Sequence, residues 1–305
     1  MKKNIYCVVV TYNRKDSLTK CLSAILNQSV KPSHVFILDN ASTDGTGDLL
    51  ESLGLKNNKR EDIYFHYILN EKNEGGAGGF YKGIIEAHKY GNCDALWVMD
   101  DDGIPDKDCL KKLIPYLEKH DYISPLVIDI EGSNMMSFEG CSIEDFLKRE
   151  ESGIVPGYAN PFNGILYSKK LIDTIGFPKK EMFIWGDEIN YDQRARKAGF
   201  VPVMVVNAIH KHPLNRQRYV KYFRHHLMTV PESDWKLFCY VRNRTYNSKC
   251  FVGKKKCIKQ TIVDFSKFAL YFISKAHQPK KISIVLSAMK KGYKGDFSGL
   301  EKYMK

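Results

Sequence analysis

Apolar residues recur along the first two-thirds of the chain in two rhythms that take turns. The runs Ile5 to Thr11, Val35 to Leu38, Tyr64 to Leu69 and Ala95 to Met99 read as strands, those over Ile5 to Thr11 and Ala95 to Met99 as buried ones. Between them the spacing is helical. Leu18, Cys21, Leu22, Ile25 and Leu26 fall at i, i+3, i+4, i+7 and i+8, with Asp16 or Ser17 available as a cap. A short helix through Leu49, Leu50 and Leu53 and another near residues 80–90 complete a β-α-β-α-β-α-β order. That order predicts an α/β fold with a mostly parallel central sheet flanked by helices. Further on, the pattern predicts a helix over 107–118 interrupted by Pro115, a strand over 122–130 and an irregular polar excursion over 131–160. A short strand after Gly164, a helix capped by Ser168 and stopped by Gly176, a helix ending at Gly199 and a strand over 201–209 follow. After residue 215 the pattern becomes helical, with stripes around 235–246, 265–272 and 282–289. Two domains are therefore expected, 1–215 and a helical extension over 216–305.

Candidate chemistry sits where the predicted strands end: Asn13, Asp39, Asn73 and Asp100 to Asp102. In open α/β sheets ligands bind at that edge. Three adjacent acids repel one another, and alternate carboxylates such as Asp100 and Asp102 can both reach one hard divalent cation. The plainer reading is an acidic loop capping the helix that starts near Asp106. The glycine cluster at 75–79 has neither a Walker pattern nor a GxGxxG, so it reads either as a flexible turn or as a place where backbone approaches a phosphate or base. Asp187 and Glu188 open a helix directly after Trp185. They are dipole-favoured caps, or one of them is a base whose pKa is raised by partial desolvation against the indole. His210 and His212, two residues apart at a strand end, face the same way and could complete an acid-rich metal site.

Composition changes this picture in one respect. With 43% apolar and 27% charged residues over 305 positions the chain is ordinary for a soluble globular protein. The net charge of +12, however, is unevenly placed: residues 1–209 carry 25 Lys and Arg against 30 Asp and Glu, residues 210–305 carry 22 against 5. A basic last third suggests a polyanionic partner, nucleic acid or an anionic membrane surface. A nucleic-acid-binding protein would show steeply salt-dependent affinity, but no nucleic-acid motif is recognised, and the lipid surface is the expectation. Eight cysteines without a CxxC pair read as reduced thiols of a cytosolic protein. The apolar stretch Ile5 to Val10 is too short for a signal peptide, and Ile262 to Ile273 carries Asp264 and Lys267 and is too short to span a bilayer. The expected location is cytoplasmic, peripheral on the cytoplasmic face of the membrane.

Taken together, Val8-Val9-Val10-Thr11-Tyr12-Asn13-Arg14, Asp39 to Thr46, Asn73 with its glycines, Asp100-Asp101-Asp102, Asp187-Glu188 and His210 to Pro213 resemble the family-2 inverting glycosyltransferases of GT-A fold. Gly75 to Phe80 and Phe183 to Glu188 look most like bacterial galactofuranosyltransferases, with rhamnosyltransferases as close relatives. The resemblance implies a nucleotide-sugar pocket of Thr11, Asn13, Arg14, Asp39, Asn73, Gly76, Gly78, Asp100 and Asp101. It implies Mn²⁺ or Mg²⁺ held by Asp100 and Asp102 with His212 or His210, and Trp185 on the acceptor side. The catalytic base would come from the pair Asp187 and Glu188, with Glu188 favoured as its second member although the family usually has Asp there. The implied reaction transfers galactofuranose from its UDP donor, or alternatively rhamnose from dTDP-rhamnose, to a polyprenyl-diphosphate-linked or glycan acceptor.

Overall fold

Strand β1 (Ile5–Thr11), rich in β-branched residues, is buried along its whole length. In the computed structural model, which describes residues 3–215, 218–224 and 226–304, the chain divides into two compact units. The first comprises Met1–Lys180 with Tyr191–Asn215; the second comprises Glu181–Asn190 with Arg216–Lys305. The loop bearing Trp185, Asp187 and Glu188 thus groups with residues 216–305.

In the first unit α1 (Lys15–Leu26), β2 (His34–Asp39), α2 (Thr46–Ser52), β3 (Lys59–Arg60), β4 (Ile63–Leu69), α3 (Gly75–Tyr90), β5 (Ala95–Asp100) and β6 (Ile104–Pro105) follow β1. Then come α4 (Cys109–Leu113), β7 (Tyr122–Asp129), α5 (Ile143–Leu147), β8 (Ile154–Pro156), β9 (Asn163–Ser168), α6 (Lys169–Ile175), α7 (Asp187–Lys197), whose first four residues belong to the second unit, and β10 (Val203–His212). The strands form one sheet in the order β3-β4-β2-β1-β5-β9-β7-β10-β6, with β8 on β10. Pairs β1–β2, β1–β5, β2–β4 and β7–β10 are parallel, whereas β9 lies antiparallel between β5 and β7. Two antiparallel steps restore the direction, so β1, β2, β4, β5 and β10 all point their carboxyl ends at the same edge. Alternate residues of β1 feed two cores. Cys7 and Val9 pack with Leu18, Leu22 and Ile25 of α1, while Tyr6, Val8 and Val10 pack with Phe80 and Ile84 of α3. This is a sheet covered on both faces by helices.

Several elements depart from the sequence pattern for identifiable reasons. Helix α3 starts at Gly75, so the glycine cluster lies inside the helix. Pro115 cuts the helix expected over 107–118 to α4, which continues as a 3-10 turn (Ile114–Glu118). The excursion over 131–160 holds α5 and β8, and β10 runs through His212 instead of stopping at residue 209. The first turn of α1 is capped from outside: Asp44 Oδ2 accepts the Lys15 N–H at 3.0 Å, a partner 29 residues away. In the second unit the region after 215 is not all helical, because β11 (Tyr219–Phe223) and β12 (His226–Thr229) form a hairpin. Helices α8 (Asp234–Asn247), α9 (Lys254–Ser274) and α10 (Lys281–Lys294) follow, packed around Phe238, Phe268, Phe272 and Val285.

Candidate functional site

At the common carboxyl edge of the first unit, polar side chains from β1, β2, β5 and β10 interlock. Thr11 is buried and its Oγ1 donates to Asp101 Oδ2 at 2.7 Å. The Arg14 guanidinium reaches Asp102 Oδ2 at 2.7 Å and Asp101 Oδ1 at 3.3 Å. Burial pushes the Asp101 carboxyl up to about 6 despite its bonds to Thr11 and Arg14. Asp102 is also partly buried, but His212 and Arg14 outweigh that and hold its carboxyl down at about 2.

The second oxygen of Asp102 lies 3.1 Å from His212 Nε2, and His212 Nδ1 lies 2.7 Å from the carbonyl of Pro213. A carbonyl only accepts, so Nδ1 carries a proton, and on a neutral ring Nε2 then turns a lone pair toward the carboxylate. Two lone pairs at that distance need a second ring proton or a cation between them. Asp102 and His212 would together hold a divalent ion, with the Nδ1–carbonyl bond as the usual support for a ligating imidazole.

Among the described residues no three His, Cys, Asp or Glu side chains group closely enough to hold an ion. Asp100 ends β5 half-buried and does not join Asp102 and His212 in such a cluster. His210 is a correction to the expected ligand set. It shares a face of β10 with His212 but is fully enclosed, its ring wedged against Gly103 and Gly164, where a Cβ at either glycine would strike the imidazole. Burial pushes it down to about 3, and neither ring nitrogen has a hydrogen-bond partner.

The residues expected to line a nucleotide pocket chiefly hold one another. Asp39 is buried, its Oδ1 accepting the Ser42 N–H at 2.8 Å and its Oδ2 the Tyr67 hydroxyl at 2.7 Å. Asn13 adopts a left-handed φ of 51°, which Asn tolerates better than most residues. Its N–H donates to Ser42 Oγ and its Oδ1 accepts the Thr43 N–H, joining the loops after β1 and β2. Asn73 Oδ1 accepts the Gly75 N–H at the start of α3.

Asn40, quoted in the sequence motif without a role, is the hub. Its Nδ2 donates to Asn73 Oδ1 and the Gly75 carbonyl, and its Oδ1 accepts from Asn70 Nδ2 and the Glu74 N–H. A buried amide with both ends satisfied ties the loop after β2 to the connection between β4 and α3. The only sequence signal for it was a polar residue immediately after a buried strand.

Gly76 faces open space, but Gly78 faces the Glu74 side chain, and a Cβ on Gly79 or Gly83 would lie 2.5 Å from Val10 Cγ1 or 2.7 Å from Val8 Cγ1. Gly79 and Gly83 let α3 lie close on β1.

In the second unit Phe183, Trp185 and Gly186 take left-handed φ values of 68°, 58° and 92°. The turn leads into α7, where Glu188 Oε2 accepts the Gly186 N–H at 2.8 Å. Asp187 is buried, Glu188 is partly exposed, and Trp185 is 37% exposed with the Lys236 ammonium 5.8 Å from its ring.

Residues 6–139 match the model of the family described as Glycosyl transferase family 2. Over 294 residues the chain is 30% identical to galactofuranosyltransferase GlfT1 of Mycobacterium tuberculosis, covering 92% of each protein. The chain belongs to glycosyl transferase family 2. The glycosyltransferase fold is likewise that of solved relatives. S. aureus TarS in complex with UDP-GlcNAc superposes with a TM-score of 0.56 at 15% identity, over 95% of this chain and 80% of TarS. GalNAc-T7 with UDP, GalNAc and Mn²⁺ gives 0.57 at 13% identity, over 81% of this chain and 48% of that one. Among the described residues, no helix of this glycosyltransferase is long and apolar enough to cross a membrane.

Proposed function

We propose that this glycosyltransferase transfers galactofuranose from UDP-galactofuranose, with inversion, to a hydroxyl of a polyprenyl-diphosphate-linked or glycan acceptor in cell-surface polysaccharide synthesis. The observation that carries the reading is the Asp102–His212 pair, 3.1 Å apart at the carboxyl edge of the parallel strands, which would hold a cation that a sugar diphosphate completes. The near full-length similarity to GlfT1 supports the donor.

Asp102 and His212 would hold Mn²⁺ or Mg²⁺, and Arg14 would keep the Asp102 carboxylate ionised and aimed. When bound, the ion supplies charge neutralisation for the departing diphosphate. The buried Thr11–Asp101 bond and the Asn40 hub keep the nucleotide-side loops in place without reorganisation. Inversion needs a single base to take the acceptor proton, with no covalent nucleophile. Glu188 fits that role better than Asp187, because Glu188 is partly exposed whereas Asp187 is buried.

The test is UDP or dTDP release from a panel containing UDP-galactofuranose and dTDP-rhamnose, with and without Mn²⁺. Turnover of the first, dependent on Mn²⁺, is expected, and turnover of dTDP-rhamnose alone would transfer the reading to rhamnose. Glu188→Gln should lose about 100-fold or more in kcat with donor binding nearly intact; full activity would move the base to Asp187.

Helix α9 supplies the membrane-facing surface in this reading. Its exposed face carries Ile258, Ile262, Leu270 and Ile273 beside Lys255 and Lys259, with Lys254 and Lys256 at the same end. Apolar residues flanked by lysines suit the interface of an anionic leaflet.

A further inference from the structure

The turn before α7 is strained, and helix α8 of the same unit restrains it. Phe183 and Trp185 sit at positive φ without being glycine, a conformation that persists only where the surroundings enforce it. The enforcing groups are Arg242, Asn243 and Asn247, all buried. Asn243 Nδ2 donates to three carbonyls of the turn: Met182 at 2.9 Å, Ile184 at 2.9 Å and Trp185 at 2.7 Å. Asn247 Nδ2 donates to the carbonyl of Gly186 at 2.7 Å, and Asn247 Oδ1 accepts from Asn190 Nδ2 at 2.9 Å. The Arg242 guanidinium, between the rings of Phe238 and Phe297, donates to the Met182 carbonyl and, through Nε, to Asn243 Oδ1 at 3.0 Å. That last bond fixes the orientation of the Asn243 amide, because its oxygen must face Arg242 and its nitrogen the carbonyls. Gly186 has no alternative residue type: at φ 92° an added Cβ would lie 3.1 Å from Asn243 Cβ.

One peptide group connects this clamp to the reaction. The carbonyl of Trp185 accepts from Asn243, and the N–H at the other end of the same peptide, that of Gly186, donates to Glu188 Oε2 at 2.8 Å. Peptide groups are planar, so fixing the carbonyl direction fixes the N–H direction. Without Asn243 the strained Trp185–Gly186 peptide is free to rotate and take its N–H away from Glu188. We propose that Asn243 is a positioning residue for the Glu188 carboxylate, acting through the Trp185–Gly186 peptide, with Arg242 holding the Met182 carbonyl and Asn247 that of Gly186. The role rests on the reading of Glu188 as the base.

The experiment measures nucleotide release with Mn²⁺ from UDP-galactofuranose, or from dTDP-rhamnose if the panel selects it, in the full chain. Asn243→Asp keeps the shape but turns a carboxylate oxygen on three carbonyls in place of the donor. It should lower kcat about 10- to 100-fold, the scale of an ångström-level misplacement, with the donor KM within about threefold. In a Glu188→Gln background the same change should cost little more, since the group it positions is already disabled. If Asn243→Asp does not fold, Asn243→Ser, which keeps one proton for one carbonyl, should give the same kcat-selective loss at smaller size. Unchanged kcat in a folded variant, or a loss that multiplies in full upon Glu188→Gln, overturns the positioning role while leaving Glu188 as base. Full activity of Glu188→Gln alone overturns both.

Discussion

Replacing Gly83 by Ala adds one methyl group where α3 lies against β1, and the structure sets its consequence. The new Cβ would stand 2.7 Å from Val8 Cγ1 and 3.6 Å from Leu38 Cβ, and both side chains are completely buried. Valine is stiff at χ1, so the methyl cannot simply rotate away. Overpacking of this kind costs ~1–3 kcal/mol. Alanine in a helix interior recovers ~1 kcal/mol over glycine, because Gly83 has an ordinary helical φ. The net expectation is a loss of about 1 kcal/mol, a fall in Tm of about 2–4 °C for a unit of this size.

Gly76, with nothing within 4 Å of its added Cβ, is the control: Ala there should leave Tm unchanged or slightly raised. Scanning calorimetry of the two variants decides the matter, and the Val8→Ala background supplies a second reading, in which Gly83→Ala should cost less than in the parent. If Gly83→Ala raised Tm as far as Gly76→Ala, α3 would stand farther from the sheet than described. The glycine cluster would then again be open to a purely ligand-facing explanation.

Two further outcomes follow from the geometry. Burial holds His210 at about 3, below its ordinary value, so the folded state refuses a proton that the unfolded chain accepts. Its contribution to stability is complete above pH ~6.5 and is lost as pH falls toward about 3, at up to ~1.4 kcal/mol per pH unit. His210→Gln should flatten denaturation midpoints plotted over that window, and an unaltered slope would show that the ring is not sequestered. At the other end of the chain, vesicles containing anionic lipid should retain the protein in flotation assays more than neutral ones, with binding weakened by salt. Equal partitioning to both vesicle types would remove the membrane-facing role of α9.

What the sequence determined by itself was whatever local pattern can encode. Continuous apolar runs set β1, β2 and β5 because burial on both faces leaves no polar alternation. Helical spacing set α1, α8 and α10 in the same way. The acids at the end of β5 and the pair after Trp185 were visible because such residues have few reasons to stand together. Partnership across the fold was decided only by tertiary structure. Asp44 caps a helix from the following loop, Asn40 joins two loops, and two glycines close over His210 while His212, one pleat on, meets Asp102. The dependence of Glu188 on an asparagine 55 positions later belongs to the same class. A hydrogen bond or a packed methyl depends on distances set by chain reversal, whereas periodicity reports only which face of its own element a residue occupies.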